Sequence, residues 1–182
     1  MKFELAKRTK RTSFATRSSA AELRNSFTEA QSQSREDSLL EVDFSRVEAL
    51  TVSFADELVA KLAAERRAYG PEDLFLLISN ASEEVAETIE VALERRGLFI
   101  VHMTSAGSFE LLAAPTHLKE TFAVAADLGQ FSARELADRM GLKAPAANNR
   151  IKALAGAGAL IRAKEAPARG GRQYSYQVAM AA

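Results

Sequence analysis

Leu74–Ser79, which reads Leu-Phe-Leu-Leu-Ile-Ser, narrows the choice of fold more than any other stretch of the chain. A run of strand length that is apolar at odd and even positions alike suits a strand covered on both faces, as in a parallel sheet. The flanking patterns agree. Leu39–Phe44 before it and Leu98–Met103 after it are rich in β-compatible side chains. Between these strands lie two helical segments. Ser53 and Asp56 mark the start of the first, Phe54, Leu58 and Leu62 recur every fourth residue, and Gly70-Pro71 stops it. Asn80-Ala-Ser-Glu83 reads as a capping box for the second. Val85, Ile89, Ala92 and Leu93 give that helix one apolar face, Arg95 and Arg96 suit the dipole of its last turn, and Gly97 ends it. Strand–helix–strand–helix–strand predicts right-handed crossovers and a parallel or mixed sheet. Upstream, Lys2–Ala6 reads as a short strand, Ser19-Ala-Ala-Glu22 as a capping box opening a helix to about Ala30, and Gln31–Asp37 as a loop.

The formal net charge of zero hides a strong segregation of charge. Residues 1–38 carry eight bases and five acids, 39–105 carry six and thirteen, and 106–182 carry ten and six. A sign change of this size predicts a domain boundary near residue 105. It separates an α/β domain, 1–105, with a basic N-terminal extension, from a second domain, 106–182. Thr104–Pro115 reads as the junction, and whether Phe109–Ala113 forms a last short helix of the first domain stays open at this point.

The second domain reads as mainly α. Thr116–Asp127 presents Leu118, Phe122 and Ala125 on one face. Ser132-Ala-Arg-Glu135 is a capping box for a helix ending at Met140-Gly141, and Pro145 opens a third helix with Ala147, Ile151 and Leu154 on its apolar stripe. Ala159–Lys164 and Arg172–Val178 read as hairpin strands around Ala168-Arg-Gly-Gly, with Tyr174, Tyr176 and Val178 facing in and Ser175 and Gln177 facing out. At about 100° per residue, Asn149 and Lys152 point away from the apolar stripe, with Ala146 and Ala153 near them and Asn148 and Arg150 on the flanks. The last forty residues, Lys143–Ala182, hold seven Lys/Arg and one acid, Glu165. Clustered cations on one module suit a polyanion, because each phosphate contact releases condensed counterions.

The stretch Phe131–Arg162, with Ser132, Leu136-Ala137, Gly141-Leu142, Asn149-Arg150 and Leu154, resembles the winged helix-turn-helix of bacterial ArsR- or MarR-type regulators, and the resemblance extends over about Pro115–Val178. It implies duplex DNA as a partner and frequent action as a homodimer on two-fold sites. Asn148, Asn149, Arg150 and Lys152 on the third helix, and Arg162, Lys164, Arg169 and Arg172 on the wing, are the expected DNA-binding residues. Asn pairs bidentately with adenine, small Ala residues permit close approach, and Arg beside Gly170-Gly171 suits a minor groove or a phosphate.

Leu40–Leu62 resembles a bacterial STAS-like domain of unknown function. The likeness rests on Val42-Asp43-Phe44, Val47 and Ser53-Phe54-Ala55-Asp56-Glu57-Leu58, with Asn80 and Phe14-Ala-Thr-Arg17 in keeping. It covers about Phe14–Met103. In the anti-sigma-antagonist type, a Ser or Thr at this strand–helix junction is phosphorylated and controls docking on a kinase-like ATPase. Here the acceptor position falls on Val52, which has no hydroxyl. Thr51 and Ser53 are the remaining candidate phosphoacceptors, and Ser53 also reads as a helix N-cap.

Other classes find little support. The chain has no Cys, hence no disulfide or thiolate chemistry, and fits a reducing cytosol. Nothing resembles a secretory signal or a membrane span. His102 and His117 read as structural, and Glu83, Glu84, Glu87 and Glu90 as a solvated face. No phosphate loop, dinucleotide fingerprint or catalytic triad is present. The sequence therefore predicts a cytoplasmic, non-enzymatic bacterial regulator with neither cofactor nor metal: an α/β STAS-like domain that senses or docks a partner, followed by a DNA-binding winged helix-turn-helix. The alternative is a signalling adaptor that docks on a kinase-like ATPase and uses the winged helix as a protein contact.

Overall fold

A computed structural model of the chain describes residues 1–33, 39–69, 75–164 and 174–179. Contacts divide it into two units, Met1–Ala114 and Pro115–Met180.

The first unit is mixed α/β. Its elements are β1 (Lys2–Glu4), α1 (Leu5–Thr9), β2 (Ser13–Phe14), α2 (Arg17–Gln33), β3 (Leu39–Asp43), β4 (Ala49–Leu50), α3 (Val52–Ala55), a π-helical turn (Asp56–Ala60), α4 (Lys61–Tyr69), β5 (Phe75–Ser79), α5 (Glu83–Glu94), β6 (Ile100–Met103) and β7 (Phe109–Leu112). The main sheet has the order β1-β3-β5-β6-β7. The first four strands are parallel, and β7 returns antiparallel along β6. Sheet order follows chain order in one direction, so right-handed crossovers put the intervening helices on one face. On that face Leu40, Val42, Leu76, Ile78, Ile100 and Leu112 join Phe54, Leu58, Ile89 and Leu93 in one core, where the Phe3 and Phe27 rings stack at 4.2 Å. β5 is buried at every position, which is why its sequence is apolar at both parities.

By register the opposite face carries Glu41, Asp43, Leu77, Ser79, Val101 and Leu111. Its two buried carboxylates are satisfied. The Lys2 ammonium lies 2.7 Å from Glu41 and 3.0 Å from Asp43. The Ser79 hydroxyl donates to Glu41 at 2.5 Å, and the Asn80 amide and the Ser45 N–H donate to Asp43 at 3.1 and 2.7 Å. Burial pushes the Asp43 carboxyl up, but the donors from Ser45, Asn80 and Lys2 outweigh it and hold the group below its ordinary range.

Several sequence expectations are corrected. The boundary falls between Ala114 and Pro115 rather than at 105/106, because 109–112 is a strand of the first sheet and not a junction or a helix. The basic N-terminus is no extension, since β1 pairs with β3 as an integral edge strand. Ser53 is not the N-cap. Thr51 is, with its hydroxyl accepting from the Phe54 N–H. α2 begins two residues before Ser19, behind Thr16, whose carbonyl accepts the Ala20 N–H. Ser82 rather than Asn80 caps α5, and Asn80 sits at φ 54° and turns to Asp43 instead. Glu83, Glu84 and Glu87 are exposed, but Glu90 is half-buried and accepts the Ala113 N–H at 2.8 Å. Gly70-Pro71, Leu74, most of 31–37 and the turn at 168–171 lie outside the described residues.

The second unit contains α6 (Thr116–Leu128), β8 (Phe131–Ser132), α7 (Ala133–Met140), α8 (Ala144–Gly156), β9 (Leu160–Lys164) and β10 (Tyr174–Val178). The strands form an antiparallel sheet in the order β8-β10-β9. Leu118, Phe122 and Ala125 of α6, Leu136 and Ala137 of α7, and Ala147, Ile151 and Leu154 of α8 are buried, as the periodicity requires. The expected alternation along β10 fails at Ser175. This residue is buried on the central strand and accepts a hydrogen bond from Gln130 at 2.8 Å, while Tyr174 and Tyr176 are half-buried.

Candidate nucleic-acid interface

The turn between α7 and α8 is built from local chemistry. Ser132 and Glu135 complete a reciprocal capping box, at 3.2 Å from the Glu135 N–H to the Ser132 hydroxyl and 2.7 Å from the Ser132 N–H to the Glu135 carboxylate. At the other end Gly141 takes the left-handed conformation, φ 63°, and the Leu142 N–H returns to the Ala137 carbonyl at 2.9 Å. Lys143 then stands at the N-cap of α8 with Pro145 in the first turn.

Burial of Ala147, Ile151 and Leu154 fixes the rotation of α8. Its outer face is then Ala146, Asn148, Asn149, Lys152 and Ala153, all exposed. Among the described residues, Asn148, Asn149 and Lys152 have no hydrogen-bond or ionic partner. Arg150 differs. It is half-buried, and its Nη1 donates to the His117 carbonyl at 3.2 Å and to the Thr121 hydroxyl at 3.0 Å. That guanidinium ties α8 to α6, so Arg150 orients the helix rather than presenting a free cation.

Arg162 is exposed on β9, with its guanidinium carbon 3.2 Å from the centroid of the Tyr174 ring. Lys164 is the β9 residue registered opposite Tyr174. Arg169 and Arg172 lie outside the described residues. Two further exposed bases adjoin the α7–α8 turn and were missed by the helix-face argument, Arg139 in the last turn of α7 and Lys143. The signal for both was their position on either side of Gly141.

In the first unit, Thr51 and Ser53 are adjacent but not equivalent. The Thr51 hydroxyl donates to the Ala15 carbonyl at 2.8 Å while accepting from the Phe54 N–H at 3.2 Å. Ser53 is half-buried within α3. Just beyond, two carboxylates on the π-helical turn gather cations from separate elements. Arg96 lies 2.6 Å and Arg17 3.0 Å from Asp56. Glu57 meets Lys61 at 2.6 Å and Arg24 at 3.4 Å, and Arg24 also pairs with Glu65. Hydrogen bonds from Arg96 and then Arg17 hold the Asp56 carboxyl below its ordinary range, and Lys61 does the same for Glu57. His102 is buried, with Nδ1 2.8 Å from Glu110 across the β6–β7 pair, whereas His117 is exposed. Among the described residues no helix is long and apolar enough to cross a membrane.

No family model, curated protein or solved structure matches the chain.

Proposed function

We propose that the chain is a DNA-binding transcription regulator, in which the second unit acts as a winged helix on duplex DNA and the first, STAS-like unit senses or docks a partner. The observation that carries this reading is the outer face of α8. Its amides and ammonium have no partner among the described residues, while the opposite face is locked into the core. Two asparagines, one lysine and two alanines on a helix reached through a short capped turn make a surface able to enter a major groove and hydrogen-bond to base edges. The bases concentrated after residue 142 supply the phosphate attraction. A cytoplasmic protein that dimerises on a two-fold site fits this role.

A phosphorylated Thr51 is not part of the reading. The Thr51 hydroxyl is a donor to the Ala15 carbonyl, and a phosphate ester has no proton to give there.

Salt-dependent binding to random-sequence duplex, followed by recovery of bound fragments, tests the proposal. Binding should weaken as salt rises. Lys152→Ala, Lys164→Ala, Arg169→Ala and Arg172→Ala should each lower affinity for all duplexes similarly and flatten the salt dependence by about one unit of slope. Asn149→Ala should cost roughly 1–3 kcal/mol on the preferred site and little on random DNA. A folded full-length protein that binds no duplex at low salt overturns the reading in favour of a protein-docking adaptor. Uniform weakening by Asn149→Ala leaves DNA binding intact and removes the base-reading role.

A further inference from the structure

Among the described cations of the second unit, Arg162 stands apart because it rests on an aromatic ring. Register places Leu160 and Arg162 of β9 on the same side as Tyr174, Tyr176 and Val178 of β10 and Phe131 of β8. At the base of the hairpin this side is core, since Leu160, Val178 and Phe131 are buried. Further out it becomes Tyr176, half-buried and 6.0 Å from Phe131, then Arg162 and Tyr174. A row of rings thus runs outward from the core and ends beneath an exposed guanidinium, 3.2 Å above the Tyr174 centroid.

A guanidinium lying over a ring uses its face for the contact and keeps its in-plane N–H edge free. Among the described residues none hydrogen-bonds or ion-pairs with Arg162, unlike Arg150, whose Nη1 is held by α6. Stacking also removes rotamer freedom that a long exposed cation otherwise loses only on binding.

Resting on the DNA reading above, we infer that Tyr174 is a positioning residue for DNA binding, whose ring holds the Arg162 guanidinium with its N–H edge presented to a backbone phosphate. Tyr174 itself makes no contact with the nucleic acid in this arrangement. Its effect passes through Arg162, so loss of the ring weakens the Arg162 contact while the charge remains, and has nothing to act on once Arg162 is gone.

The test uses the full chain and random-sequence duplex over a range of salt concentrations. Arg162→Ala should weaken binding and flatten the salt slope by about one unit. Tyr174→Leu should weaken binding roughly two- to fivefold, the range for an exposed cation–ring contact, with the slope unchanged because the charge remains. Tyr174→Phe should bind as the parent does. Arg162→Lys should keep the slope but lose affinity, because an ammonium has no flat edge to present. In the Arg162→Ala background, Tyr174→Leu should have no further effect. An additive double variant, or an Arg162→Lys protein as tight as the parent, overturns the inference. The Arg162→Lys and Tyr174→Phe comparisons decide the matter if Tyr174→Leu does not fold. If Arg162→Ala is silent while Lys152→Ala and Asn149→Ala weaken binding, the positioning role fails and the DNA reading stands. If the parent binds no duplex, both fail.

Discussion

Thr51 shows how tertiary structure chooses between two residues that look equally apt in sequence. Thr51 and Ser53 both stand just ahead of an apolar run, and Ser53 has the spacing of a cap. What selects Thr51 is a carbonyl from a distant stretch, Ala15, which accepts its proton while its oxygen accepts the Phe54 N–H. That partner is invisible to any local pattern. Thr51→Ala should therefore cost about 1–2 kcal/mol and Ser53→Ala distinctly less, measured from urea unfolding midpoints. Equal losses would show that the double role of Thr51 is not what holds the junction. Asp56 gives a prediction in pH. Its carboxyl is held low by Arg96 and Arg17, so its contribution to stability is complete above the ordinary carboxylate range and is lost as the pH falls through the depressed native value. Arg96→Met should be less stable than the parent near about pH 7, and the gap should narrow in acid below the depressed native value, where the carboxyl is protonated in both proteins. A gap that is the same at both pH values would assign the effect to packing of the arginine stem.

The elements themselves were legible where their determinants are local. The capping box at Ser132, the glycine stop at Gly141 and the buried stripe of α8 depend on residues within a turn or two of each other, and each stands where the sequence put it. β7 was not legible. Phe109-Glu-Leu-Leu is short, follows a Ser/Gly turn and becomes a strand only because β6 offers an edge. Helix periodicity places Arg150 on a flank of α8, and only the fold brings it to the His117 carbonyl and Thr121. The turn that presents α8 rests on one backbone conformation. A Cβ built on Gly141 meets nothing within 4 Å, so the demand there is on φ and not on space. Gly141→Ala should then cost about 1 kcal/mol in thermal or urea unfolding, while Gly141→Asn, whose side chain tolerates the left-handed region, should cost clearly less. If Ala and Asn behave alike, the left-handed turn is not the source of the loss.

On the scale of the whole molecule, the charge switch and the structural boundary at Ala114/Pro115 agree, since residues 106–114 carry no base and the acid Glu110. Residues 109–112 belong to the first unit by hydrogen bonding, and their one charged residue, the acid Glu110, matches the acidic stretch before it. A fragment ending at Ala114 should accordingly unfold in one cooperative transition. One ending at Met103 exposes the edge of β6, leaves the Glu90 carboxylate without the Ala113 N–H, and should show a lower midpoint and a broader transition by circular dichroism. Identical unfolding of the two fragments would mean that β7 is dispensable to the first unit. The order of the sheet also bears on how the protein is made. Strands that lie β1-β3-β5-β6-β7 across the sheet leave the ribosome in that same succession. Each newly synthesised strand finds its berth at the free margin left by the one before, and none must be threaded between neighbours already joined. Synthesis from the N-terminus can thus lay the sheet down like planking, with a single growing margin opposite the β1 edge at any moment and the antiparallel β7 as the last plank in place.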